Sequence, residues 1–232
     1  MSDIGYSILY YALPILGLII TSIAQASISL NYSKYKQVLS RSNKTGRQVA
    51  REILDKHNLR NIDVVEVSGN LTDHYDPTKK VVRLSTDIYS GTSIASVSVA
   101  AHECGHAIQD KISYTPMRIR SKLVPIVNFS TKIGYLVIVI GLAAGLLKIA
   151  MIGLILLLSM LLFQLVTLPV EFDASRRGKI ELDELGVLDS SEQRGAAKML
   201  RAAAFTYVAS VLSTLFQILR LALMVTSRRN NR

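Results

Sequence analysis

Four apolar blocks constrain this chain more than any other feature: residues 6–30, 123–147, 149–170 and 202–225. A helix needs about 20 apolar residues to cross ~30 Å of hydrocarbon. Inside lipid, only helices and closed barrels satisfy their own backbone hydrogen bonds. Block 149–170 carries no charge and is the clearest predicted span. Block 6–30 contains Pro14, a place for a kink. Block 123–147 has Pro125 near its start and Lys132 inside it. Residues 133–147 alone are short for a span, so this helix is expected to begin earlier, with Lys132 snorkelling or facing protein. Lys148 stands between the second and third blocks and predicts a tight helical hairpin. Block 202–225 contains Gln217 and Arg220 and is compatible with a span, an interfacial helix or a helix packed on the others.

Composition agrees with a membrane protein. Half of the 232 residues are hydrophobic, and the mean hydropathy is +0.32. The net charge is +10, but the basic residues flank the apolar blocks and are not interleaved with aromatics. That pattern fits anchoring at a lipid surface and excludes nucleic acid as the expected partner. Cys104 is the single cysteine, so no internal disulfide is possible. Residues 6–30 lack a basic segment before them and a convincing cleavage site, so a permanent helix is expected rather than a removable signal.

The charge asymmetry around the first block sets an orientation. Only Asp3 precedes it, whereas Lys34, Lys36, Arg41, Lys44, Arg47 and Arg51 follow. Positive-inside logic places residues 31–122 in the cytoplasm, and the hairpin returns residues 171–201 to the same side. Arg228, Arg229 and Arg232 fit this orientation less well if the fourth block crosses. The domain plan is therefore a first transmembrane helix (1–30), a cytoplasmic polar region (31–122) that holds the candidate site described next, a transmembrane hairpin (123–170), a second polar segment (171–201) expected to complete that site, and a fourth apolar helix with a basic tail (202–232). The expected location is the plasma membrane of a bacterium, multi-pass, with the polar regions on the cytoplasmic face.

In the first polar region, residues 47–58 have helical periodicity and 63–67 read as a strand. Gly69-Asn70 reads as a turn, and residues 79–84, with Val81 and Val82, as a second strand. Residues 93–110 read as a helix, and it contains His102-Glu103-Cys104-Gly105-His106. Two histidines four residues apart share one helix face and can hold one zinc ion, and the glutamate beside the first can act as a general base toward water. The pattern arises by chance in some chains, but here two of only four histidines occupy ligand spacing around a glutamate inside a predicted helix. A catalytic zinc keeps three protein ligands and an open position. Cys104 lies about 200° around the helix from His102 and faces the wrong way. No third histidine follows downstream at the expected spacing, and His57 and His74 lie upstream. Glu171, a carboxylate closing the third apolar block, is the better candidate, and Asp173 is its nearest competitor.

His102 through Gln109, together with Leu168-Pro169-Val170-Glu171-Phe172-Asp173-Ala174-Ser175-Arg176-Arg177 and Leu71-Thr72-Asp73-His74-Tyr75-Asp76-Pro77, resembles the YugP-type neutral zinc metallopeptidases. The likeness runs over most of the chain and includes the order of apolar blocks. More distantly the chain is similar to the HtpX and CAAX-prenyl protease group, in which a Glu-x-x-Ala-Asp glutamate is the third ligand. Glu171 and Ala174 match that pattern, and Ser175 stands in place of its aspartate. The resemblance implies zinc held by His102, His106 and Glu171, with Glu103 as catalytic base. The fold class expected is mainly α: a multi-pass membrane protein with a zincin-like metalloprotease region containing a small β element.

Further expectations concern the surroundings of the metal. Asp173, Asp76 or a backbone carbonyl could orient the histidines. His74 and Tyr75 are candidate oxyanion donors, against a plain turn held by Asp73 and Asp76. Residues 79–84 could be an edge strand that an extended peptide joins. The expected partners are a peptide or protein substrate and membrane lipid, with an oligomer possible. The rival class is a non-catalytic zinc-binding membrane scaffold or assembly factor, which would need the ligands but not Glu103.

Overall fold

The computed structural model describes residues 3–230. Its elements are α1 (Asp3–Lys36), α2 (Gly46–Lys56), β1 (Asp63–Val67), β2 (His74–Asp76), β3 (Val81–Ser85), α3 (Thr86–Tyr89), α4 (Ile94–Lys111), α5 (Thr115–Ala143), α6 (Leu147–Glu184) and α7 (Ser190–Asn230). The protein is mainly α with a small three-stranded sheet. Four of the helices, α1, α5, α6 and α7, are long and apolar enough to cross a membrane. The fourth apolar block thus belongs to a helix of spanning length, and the chain is a multi-pass membrane protein. Pro14, Pro125 and Pro169 all lie inside helices.

The chain divides into two compact units. One takes the chain up to Gln25, Ile119–Leu168, and everything from Phe205 onward. Its interior is a small apolar cluster centred on Ile138, Leu157 and Ile218. Its outside is also apolar: Leu18, Ile140 and Ile155 are exposed, as lipid-facing residues must be. Arg220 donates to the Tyr10 hydroxyl at 3.0 Å and lies 4.6 Å from that ring's centroid. The guanidinium is thereby held by both a hydrogen bond and a cation–π contact.

The other unit is Ala26–Arg118 with Pro169–Ala204. Here the pattern is that of a soluble core, with Ile53, Leu54, Val82, Leu84, Val97 and Leu182 buried in one cluster. Helix α2 starts at a capping box, in which Thr45 accepts from Gln48 N–H and the Gln48 side chain accepts from Thr45 N–H. Helix α4 starts at Ser93, whose hydroxyl accepts from Ser96 N–H. Most of α4 is buried on all sides, which explains its Ala-rich sequence.

The sheet order is β1-β3-β2, with β1 parallel and β2 antiparallel to β3. This corrects the expected edge strand. Residues 81–85 form the central strand, and four of its five residues are buried, as two-sided pairing requires. The edge next to it is β2, a three-residue strand formed where the sequence reads as a turn. His74 opposes Arg83, and Tyr75 opposes Val82. A strand this short carries almost no periodicity, so tertiary pairing creates it.

Candidate metal centre

The site is built where α4 meets residues 169–184 of α6. That approach depends on two glycines. A Cβ on Gly105 would lie 2.5 Å from the Ala174 carbonyl oxygen, and one on Gly178 would lie 2.8 Å from that of Ala101. Backbone therefore packs on backbone, with Ala101 and Ala174 as the facing residues. His102, one residue on from Ala101, and Glu171, one turn before Ala174, are carried to each other by this contact.

His102 Nε2 lies 3.3 Å from Glu171 Oε2, and His106 Nε2 lies 3.6 Å from the same oxygen. One donor atom from each of the three residues falls within 4.8 Å of the others. Zinc–nitrogen and zinc–oxygen bonds of about 2.0–2.2 Å in a tetrahedron require ligand separations of about 3.3–3.6 Å. Both imidazole–carboxylate separations match that spacing, and the three residues fit zinc with a fourth position open. His106 and Glu171 are buried, and His102 is nearly so.

Both histidines are oriented through Nδ1. Gln109 Oε1 lies 3.0 Å from His106 Nδ1. The Gln109 amide nitrogen donates to the Val170 carbonyl at 2.8 Å and to Asp173 Oδ2 at 3.0 Å. With the amide turned round, its oxygen would face two acceptors, so Oε1 is the atom that accepts from His106 Nδ1–H. The Nε2 lone pair is then free for a metal. Asp173, the competitor for third ligand, instead holds Gln109 and accepts from Arg176 and Arg177. Ser175 Oγ lies 3.1 Å from His102 Nδ1. Ser175 therefore touches a histidine of the candidate centre itself. The sequence alone does not assign this orienting role to Gln109 or Ser175. Their spacing could have signalled them: Gln109 is i+3 from His106 and Ser175 is i+4 from Glu171.

Glu103 is buried beside the ligands. Burial pushes its carboxyl up to about 7, against the pull of His102 and of a hydrogen bond from Tyr75 N–H. Tyr75 thus meets Glu103 through its backbone. Its hydroxyl donates to Asp110 Oδ2 at 2.7 Å, and Lys80 Nζ reaches the same oxygen at 2.5 Å. Asp110 lies one turn beyond His106, so Tyr75 ties β2 to the motif helix at two points. His74 is exposed, with Nδ1 2.8 Å from the Thr72 carbonyl. Asp73 accepts from Ser85 N–H at 2.7 Å and from its hydroxyl, and burial raises its carboxyl. Asp76 caps the turn to β3 through Thr78 and Lys79 N–H. His57 pairs with Glu181 at 2.7 Å and is not among the clustered ligands. Cys104 is fully buried with Sγ 3.5 Å from the Ala50 carbonyl, and burial raises its thiol.

Fold and site define a class: a membrane protein with four helices of spanning length and a His-His-Glu centre fit for zinc. Residues 10–226 match the family described as "Putative neutral zinc metallopeptidase", and the chain belongs to that family. A Bacillus subtilis (strain 168) protein described as "Putative membrane protease YugP" is 44% identical over 207 residues, covering 89% of this chain and 92% of the relative. No solved structure matches the chain significantly.

Proposed function

We propose that this protein is a membrane endopeptidase of gluzincin type, with His102, His106 and Glu171 as zinc ligands and Glu103 as catalytic base. The observation that carries the reading is the convergence of His102, His106 and Glu171 at tetrahedral spacing with Glu103 buried next to them. A purely structural site needs no such base. Zinc, when bound, polarises the scissile carbonyl and lowers the pKa of a water molecule beside it. Glu103 accepts that water's proton on its carboxylate and delivers it to the leaving amine nitrogen. Gln109 and Ser175 hold the imidazole rings in place throughout.

Tyr75 N–H hydrogen-bonds to Glu103, so the outer edge of β2 faces the base. An extended peptide that adds to β2 takes the Tyr75 N–H from Glu103 and lies across the centre. The Tyr75 hydroxyl is engaged with Asp110, so its role in this reading is to fix β2 rather than to meet an oxyanion. His74 keeps the oxyanion role only if its ring turns from the Thr72 carbonyl.

The substrates we infer are membrane-associated or misfolded proteins cut near the cytoplasmic surface of the bacterial plasma membrane. Support comes from the sequence, where Glu171 directly follows an apolar block and basic residues follow the first one. Purified protein in vesicles should cut a lipid-tethered peptide faster than the same peptide free in solution, and equal rates would overturn the membrane-proximal part. Glu103→Gln should retain zinc and lose about 10²–10⁴-fold in peptide cleavage. Zinc-loaded wild type that cleaves no peptide in this assay would favour the scaffold reading.

A further inference from the structure

The membrane-type unit carries one polar feature that the metal centre does not use. Lys132 sits inside α5 and its side chain is exposed. Ten residues separate it from Lys122 and eleven from Ala143, where α5 ends. At 1.5 Å per residue these are about 15 and 16 Å, so the lysine lies near the middle of a ~30 Å hydrocarbon layer. Its stem shortens that distance by only part, so the ammonium does not reach either headgroup layer. Charged residues in membrane helices almost always face a bundle interior or a partner. This one points outward.

Its neighbours reinforce the point. Asn128 and Tyr135 lie four residues before and three after Lys132, on the same helix face, and both are exposed. The Tyr135 hydroxyl donates to Gln217 Oε1 of α7 at 3.2 Å, and Gln217 is exposed too. Asn128, Lys132, Tyr135 and Gln217 thus mark an outward polar seam over two helical turns, in a unit whose other outward residues are largely apolar.

We propose that this seam docks a transmembrane helix of another protein that carries a carboxylate at mid-membrane depth, with Lys132 as its counter-charge. Charge complementarity selects this occupant. Residues 8–25, 119–168 and 205–224 contain no Asp or Glu, so a second copy of this chain offers Lys132 no carboxylate at that depth. An anionic lipid keeps its phosphate at the layer's edge, about 15 Å away. A carboxylate on a neighbouring helix sits at the right depth. Asn128 and the Tyr135–Gln217 pair then supply hydrogen bonds one turn to either side.

The test uses full-length protein in zwitterionic vesicles and a labelled Leu-Ala transmembrane peptide with one central Glu. Energy transfer to a fluorophore at the protein's C-terminus reports binding. The Glu peptide should bind about tenfold more tightly than its Gln counterpart. A peptide with the Glu moved two turns toward one end should bind like the Gln form. Lys132→Leu should abolish the preference for Glu, and Lys132→Arg should keep it, with helicity and zinc content unchanged in both. Equal binding of Glu and Gln peptides would overturn the proposal, as would a preference that survives Lys132→Leu. Loss of the preference in anionic vesicles would assign the lysine to lipid, and energy transfer between two protein copies that depends on Lys132 would assign it to self-association. Either result overturns the proposal.

Discussion

The two units solve the problem of polar side chains in opposite ways. Around the metal centre polar groups share partners: Gln109 joins His106, Val170 and Asp173, and Asp173 also takes Arg176 and Arg177. In the membrane-type unit polar side chains are fewer, and Lys132 faces outward. A buried network in a low-dielectric core costs heavily when one member is missing, so its members are tied to one another. An outward polar group on a membrane helix keeps its capacity for an outside partner. The first arrangement specifies geometry, and the second specifies a contact.

The largest effects are expected at the three proposed ligands. Glu171→Ala or His106→Ala should remove stoichiometric zinc, measured by metal analysis, and with it all peptide cleavage. Retained zinc in Glu171→Ala would transfer the third-ligand role to Asp173 or another group. Next comes the support layer. Gln109→Leu should weaken zinc binding about 10–100-fold in competition with a chelator, because His106 loses the acceptor that fixes its ring. Lys132→Leu should leave zinc affinity unchanged, which is the sharpest form of the comparison. Gly105→Ala should cost about 1–3 kcal/mol in unfolding free energy, because the new methyl meets the Ala174 carbonyl at 2.5 Å. Its zinc affinity should fall as α4 and α6 are forced apart. An Ala variant as stable as wild type would mean the helices separate freely. The smallest loss is expected at Tyr75→Phe, which removes the hydrogen bond to Asp110. A stability loss of about 1 kcal/mol and a several-fold fall in kcat are expected, with zinc content unchanged. A rise in KM alone, with kcat intact, would mean that β2 binds substrate without positioning Glu103.

Much of the fold was readable because its signals are local. Residues 47–58 and 93–110 were expected as helices and appear as α2 and α4. Gly186, at φ +58°, lies in the short connection between α6 and α7, a local glycine signal for a helix end. The apolar blocks likewise became the four long helices. The sheet was harder. β3 was expected at the edge and lies in the centre, because strand order depends on pairing partners far apart in sequence and leaves little mark on a five-residue segment. β2 escaped notice for a similar reason: three residues hold no periodicity, and its place is set by β3 on one side and Glu103 on the other.

The sequence by itself determined that the chain belongs in a membrane and that His102, Glu103 and His106 share a helix turn, since run length and four-residue spacing are properties of a single helix. It could nominate Glu171, 65 residues beyond His106, but not bring it near. Tertiary structure decided that Glu171 meets the histidines, through the bare backbone contacts at Gly105 and Gly178. It also decided that Gln109 and Ser175 orient the two rings. The physical reason is range. Helix periodicity acts over one turn of chain, whereas ligand convergence depends on how closely two helices pack, and that is set by side-chain volumes on both of them at once.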